Sequence, residues 1–129
     1  MHNPLYERVY FLVRAIPPGK VTTYGQLGAM CGIADARTIG DAMNACPKDV
    51  PWQRVINARG TISIQGATGA RQRALLESEG VAFDENARVD FASVGWVPEA
   101  EWLDANGYKT PPPFAQEKTD SGNAQLSLF

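Results

Sequence analysis

The stretch Pro51-Trp52-Gln53-Arg54-Val55-Ile56 sets a bulky indole directly after a proline and before a polar pair. An indole can fill a core, but its ring N–H is only a donor and nothing on it ionises near pH 7 to act as a nucleophile. Groups able to do covalent chemistry are few: two cysteines, Cys31 and Cys46, and one histidine, His2, at the terminus. A cysteine reacts as its thiolate, which needs a neighbouring base or cation. Neither cysteine has CxxC or His spacing, so no disulfide framework and no metal site is read from them. No cofactor is expected, and a reduced, cytoplasmic compartment is the default. The cations offer a different chemistry. Arg59, Arg71 and Arg73 are candidates for phosphate contacts or for the polar edge of a pocket, or else exposed solubilising charges.

The elements that must position these residues follow from pattern and punctuation. At 129 residues, 44% hydrophobic and 20% charged, the chain suits one soluble globular domain. No window approaches the roughly 18 apolar residues of a membrane span. The N-terminal run carries Glu7 and Arg8, which argues against a secretion signal. Residues 1–92 hold ten Lys and Arg against nine Asp and Glu, and residues 93–129 hold two against five. A near-neutral body with an acidic tail does not promise strong non-specific phosphate binding, although a local basic face remains open.

Asn3-Pro4 reads as a cap and a first-turn proline for an amphipathic helix over 4–16. Pro17-Pro18-Gly19 stops it. Thr22 or Thr23 caps a short helix Tyr24–Met30 with Leu27 and Met30 inward. Cys31-Gly32-Ile33 turns the chain, and Asp35 caps a second helix Ala36–Ala45 with Ile39, Ala42 and Met43 on one face. Two short helices around a glycine turn make a helix-turn-helix candidate. The opposite face carries Arg37, Asp41 and Asn44 beside Gly40 and Ala36, which suits either close approach to a nucleic-acid groove or a plain solvated surface. Tyr24 reads equally as a half-buried tyrosine with a wetted hydroxyl. Residues 54–64 predict a β-hairpin, Gly66–Gly69 a loop, Arg71–Glu79 a helix closed by Gly80, and 81–91 a second hairpin. Trp96 and Trp102 pack an extra segment back onto the domain or form a partner surface. Pro111-Pro112-Pro113 opens a linker or disordered tail. The domain is therefore set at 1–108 and the tail at 109–129.

Four stretches, "IPPGKVTTYGQLGAM", "ARTIGDAMN", "PWQRVINARGTIS" and "LLESEG", stand in this order within roughly residues 5–91. Together they resemble the DNA-binding domain of the O6-alkylguanine-DNA alkyltransferases. The resemblance implies a small single α/β domain with a winged-helix-like helix-turn-helix that enters the minor groove and extrudes one nucleotide into a pocket. It implies that Tyr24 crowds the target phosphate and that Arg37 replaces the extruded base in the stack, a place suited to a planar cation. It implies that Asn44 orders the turn before the pocket. The backbone of Trp52 and Val55 and the loop around Gly66 would line that pocket, and Glu79 would orient a histidine.

Departures from that pattern fall on the reaction itself. The transferases read Pro-Cys-His-Arg-Val where this chain reads Pro51-Trp52-Gln53-Arg54-Val55. The acceptor thiol and its base are both replaced, so two parts of one mechanism are missing together. Cys46, six positions upstream, reads as a small structural residue. The chain thus resembles the alkyltransferase-like proteins, which carry tryptophan at the acceptor position. That resemblance implies a non-enzymatic sensor, expected as a monomer, that binds O6-alkylguanine in double-stranded DNA, holds it flipped and hands it to nucleotide excision repair. An active transferase using Cys46 and a winged-helix transcription regulator are the competing functions.

The chain ends Gln125-Leu126-Ser127-Leu128-Phe129. This resembles the short motif that docks bacterial repair proteins on the sliding clamp, in which Gln125, Leu126, Leu128 and Phe129 would enter a groove. A tail folding back on its own domain is the alternative.

Overall fold

Asn3 opens the first element. Its Oδ1 accepts the N–H groups of Leu5 and Tyr6 at 3.0 and 3.3 Å, satisfying donors that a helix start leaves unpaired. Helix α1 (Pro4–Ala15) follows, in a computed structural model that describes residues 3–114. Val9, Leu12 and Val13 are fully buried on its inner face. A two-residue strand β1 (Thr22–Thr23) leads into helix α2 (Tyr24–Cys31), which the Thr23 hydroxyl caps by accepting the Gln26 N–H at 3.0 Å.

Gly32 ends α2 with φ of +75°, a left-handed conformation that costs glycine nothing. Asp35 then caps helix α3 (Ala36–Asn44), its carboxylate accepting the Arg37 N–H at 2.9 Å. Helices α2 and α3 form the helix-turn-helix. Leu27, Met30, Ile39 and Ala42 face α1 in one shared core with no exposure, each larger side chain contributing about 2 kcal/mol by leaving water. The Tyr10 hydroxyl donates to the Ala42 carbonyl at 2.7 Å, so α1 also fixes α3 through a polar tie.

Beyond the helix-turn-helix comes a 3-10 turn, Trp52–Arg54, running straight into strand β2 (Val55–Ile56). Strand β2 pairs in parallel with β1, Thr22 opposite Val55 and Thr23 opposite Ile56. Val21 extends this small sheet by bridging to Gly95. The expected hairpin over 54–64 does not form. Asn57 closes the turn instead: its Oδ1 accepts the N–H groups of Arg59 and Thr61, both at 3.0 Å, and its Nδ2 donates to the Thr61 hydroxyl at 2.7 Å. A side chain bonding its own backbone in this way competes with a ladder.

Residues 66–69, expected as a loop, are the first turn of helix α4 (Gly66–Ser78). Gly69 permits this, because a Cβ there would lie 2.0 Å from the Ile64 carbonyl oxygen, which therefore packs directly on the helix backbone. The second expected hairpin, 81–91, is also absent. Asp84 accepts the N–H groups of Asn86 and Arg88 at 2.7 and 3.0 Å, and Ala87 takes a positive φ of 61°. The turn is thus made by one aspartate, without flanking strands.

Two short helices close the described chain, α5 (Phe91–Val94) and α6 (Ala100–Ala105). Trp96 and Trp102 meet edge to face at 6.2 Å between centroids, and Phe11 of α1 stacks on Trp102 at 5.9 Å, so this segment packs onto α1. The boundary expected at residue 108 falls short of the packed chain. Lys109 donates its N–H to the Met30 carbonyl, Pro112 accepts from Gln26, and Phe114 stacks on Phe91 at 4.5 Å. The whole is a small, helix-rich domain with short strands. Among the described residues no helix is long and apolar enough to cross a membrane.

Candidate nucleic-acid interface

The turn carrying Trp52 is held from three sides. Glu79, at the C-terminal cap of α4, accepts two bonds from the Arg54 guanidinium, Nε to Oε1 at 3.0 Å and an Nη to Oε2 at 2.9 Å. The second Nη of Arg54 donates to the Ile16 carbonyl at 2.8 Å, tying the turn to the end of α1. Gln53 Nε2 donates to the same Glu79 Oε2 at 2.7 Å. The fork geometry of arginine against a carboxylate makes this a strong, oriented pair. Burial alone would raise the Glu79 carboxyl; the Arg54 and Gln53 donors outweigh it and hold the group below its ordinary value.

The third tie is Gln72 on the inner face of α4, only 1% exposed. Its Nε2 donates to the carbonyls of Gln53 and Val55, at 3.2 and 3.0 Å. Those two carbonyls flank Arg54, so one amide clamps the backbone on both sides of the turn. Among the described residues the Oε1 of Gln72 is buried without a hydrogen-bond partner, as is the hydroxyl oxygen of Thr22, whose residue pairs with Val55 across the sheet. Neither Gln72 nor the role of Arg54 was singled out from the sequence. A glutamine in a helix whose apolar residues show no clear stripe reads as surface.

On this frame Trp52 is half-buried, its backbone N–H donating to the Val50 carbonyl at 2.7 Å. The Arg71 guanidinium lies over the indole at 5.9 Å from the ring centroid. Val55 is buried in the core and presents its carbonyl to Gln72. Gly66 stands exposed at the start of α4 with open space beside it. The structure therefore gathers Trp52, Gln53, Arg54, Gln72, Arg71 and Glu79 around one turn. Where a thiol and an imidazole would be needed for transfer, the turn offers an indole and an amide, and the amide is committed to Glu79.

The helix-turn-helix supplies a second surface. Tyr24 begins α2 directly after β1, half-buried, and burial raises its hydroxyl above the ordinary value. Arg37 projects from the first turn of α3 and is exposed, as are Ala36, Asp41 and Asn44 on that face. Open space fronts Gly40. The amide of Asn44 makes no hydrogen bond to the following turn among the described residues, so the ordering role that the resemblance implies for it has no visible bond.

The remaining cations divide. Arg59 is exposed in the turn that Asn57 closes. Arg73 lies over Phe83 at 4.5 Å and pairs with Glu77 at 3.2 Å, so it is engaged away from Trp52. Cys46 is partly buried; burial pushes its thiol up and the charge of Asp49 adds to the effect. Among the described residues there is no histidine to serve it as a base. Gln125, Leu126, Leu128 and Phe129 lie outside the described residues.

Comparison with known proteins bears on the same residues. Residues 4–81 match the family described as 6-O-methylguanine DNA methyltransferase, DNA binding domain. Alkyltransferase-like protein 1 of Schizosaccharomyces pombe is 46% identical over 105 residues, covering 78% of this chain and 95% of that protein. A DNA base-flipping protein of Vibrio parahaemolyticus is 36% identical over 94 residues, covering 70% of this chain and 94% of that one. The crystal structure of S. pombe Atl1 in complex with damaged DNA containing O6-carboxymethylguanine superposes with a TM-score of 0.64 at 36% identity, over 76% of this chain and 99% of that chain.

Proposed function

The chain belongs to the family of the 6-O-methylguanine DNA methyltransferase DNA-binding domain, and from that membership we propose that it is a lesion sensor. It binds duplex DNA, turns an O6-alkylguanine out of the stack and holds it against Trp52 without removing the alkyl group. The observation that carries this reading is the state of the turn: Trp52 replaces the acceptor, and Gln53 donates to Glu79 where a base would stand. An alkylated guanine pairs poorly, which lowers the cost of extrusion and favours the damaged base. The indole adds apolar contact with the alkyl group, a modest term of about 1–3 kcal/mol. The exposed face of α3, with Arg37 at its start and small residues behind, suits close approach to a groove, and Tyr24 adjoins it at the head of α2. Relatives named for base flipping and one solved on damaged DNA support the same assignment.

In this reading the held lesion is passed to nucleotide excision repair. Gln125, Leu126, Leu128 and Phe129 would bring the protein to DNA through the sliding clamp. Transfer is not assigned to the chain itself: Trp52 and Gln53 occupy the acceptor turn, Gln53 is committed to Glu79, and burial pushes the Cys46 thiol up.

One experiment tests the core of the proposal. The protein is titrated with a duplex carrying O6-methylguanine and with the unmodified duplex, then weighed intact. The expected result is tighter binding of the damaged duplex with no mass added to the protein. An added methyl group would overturn the sensor reading in favour of transfer to Cys46, and equal affinities would overturn lesion recognition.

A further inference from the structure

Most arginines whose side chains bond within the domain are already committed. Arg14 pairs with Asp49, Arg54 with Glu79 and Arg73 with Glu77. Arg8 donates to the carbonyls of Cys31 and Gly107 and lies over Tyr108. Arg71 differs. It is exposed, it forms no ion pair or hydrogen bond among the described residues, and its guanidinium lies over the face of the Trp52 ring. A cation over an indole gains roughly 0.5–1 kcal/mol at an exposed site, too little to hold it against a better partner. The carboxylate that holds the turn, Glu79, is engaged by Arg54 and Gln53 and does not compete for it.

The geometry points to Arg71 as a specificity-determining residue for adducts that end in a carboxylate. This rests on the sensor reading, in which the flipped guanine lies against Trp52. An alkyl group on O6 that lies against the indole then comes within reach of the guanidinium that stands over that ring. A methyl group finds only apolar contact there. A carboxylate at the end of the alkyl group meets a planar donor fork that can bond both of its oxygens. The chain thereby distinguishes guanines alkylated by neutral groups from those carrying acidic ones, and favours the acidic class.

The test compares four duplexes, carrying guanine, O6-methylguanine, O6-carboxymethylguanine or its neutral carbamoylmethyl analogue. Carboxymethyl and carbamoylmethyl are close in size and differ in charge, so their affinity ratio isolates the ion pair. The full chain is expected to favour the carboxylate by roughly fivefold, the upper yield of one exposed charge pair. Arg71→Gln is expected to bring that ratio to about one, and Arg71→Lys to restore part of it. A ratio left unchanged by Arg71→Gln overturns the inference. That includes an equal loss on all four duplexes, which would mark Arg71 as a phosphate contact. A full chain that prefers O6-methylguanine over guanine but shows no carboxylate gain overturns this inference alone. A chain that prefers neither lesion over guanine overturns the sensor reading beneath it.

Discussion

The turn at Trp52 and the outer face of α3 are built in opposite ways. Around the turn, Arg54, Gln53, Gln72 and Glu79 are largely withdrawn from water and bonded to one another or to backbone carbonyls. On α3, Arg37 and Asn44 stand exposed without side-chain ties among the described residues, over a helix whose opposite face is locked by Ile39 and Ala42. In the proposed function, the difference follows from what each surface would have to do. A surface that discriminates a small alkyl group needs fixed walls, because a loose wall adapts to both bases and separates neither. A side chain that must enter a stack vacated by a base has to be free until the base leaves. On that proposal, one region is assembled before DNA arrives and the other is completed by it.

Glu79→Ala attacks the preassembled region at its centre and should have the largest effect on stability. It leaves the Arg54 guanidinium and the Gln53 amide without their acceptor in a site where both ion-pair partners are only 14% exposed. Breaking such a pair costs about 3 kcal/mol, which thermal unfolding would read as a fall of several degrees. The same pair sets a pH dependence. The Glu79 carboxyl is held below its ordinary value, so its contribution is complete above the unfolded-state value near 4.3 and is lost as pH falls through the lower folded value. The stability gap between the natural chain and Glu79→Ala should therefore be constant at neutral pH and narrow only in acid. A gap that already narrows near pH 6 would contradict the assignment.

Gln72→Leu probes the same region more gently. It removes two donors from the carbonyls of Gln53 and Val55 but also removes the partnerless Oε1, so the losses are partly offset. The expected cost is about 1–2 kcal/mol, with lesion discrimination falling more than affinity for undamaged duplex, since the turn is loosened and the helix-turn-helix is not. Denaturant unfolding and paired titrations would check both. Equal losses on the two duplexes would mean that Gln72 supports the fold and not the turn.

These two residues also mark where sequence reasoning reached its limit. Helix α1 and the helix-turn-helix were legible because caps and apolar spacing agree: Asn3, Thr23 and Asp35 each bond the first turn that they precede. Trp52 and Gln53 became meaningful only through resemblance, as substitutions within a known motif. The parallel pairing of Thr22-Thr23 with Val55-Ile56 joins segments far apart in the chain and leaves no local signature. The two expected hairpins failed for one shared reason, that Asn57 and Asp84 satisfy their turns from within. Gly66 and Gly69 suggest a loop by composition and hide the first turn of helix α4, where Gly69 is a point of close packing. Gln72 was invisible because an amide in a helix is ordinarily on the surface.

Arg37→Ala sharpens the contrast from the other side and should have the smallest effect on the isolated protein. The side chain is exposed at the start of α3, and the cap there is made by the Arg37 backbone N–H with Asp35, which alanine retains. Stability should stay within about 0.5 kcal/mol of the natural chain. Binding should not be spared. Without a planar cation to fill the gap, the extruded state loses its replacement in the stack, and affinity for the damaged duplex should fall by roughly tenfold or more, while weak binding to undamaged duplex falls less. Fluorescence of a base analogue placed opposite the lesion would report whether the gap is filled. If Arg37→Ala destabilised the fold as Glu79→Ala does, the face of α3 would be part of the rigid frame, and the division of labour between the two regions would fail. If it left lesion affinity intact, the finger that fills the stack would have to come from elsewhere on this surface.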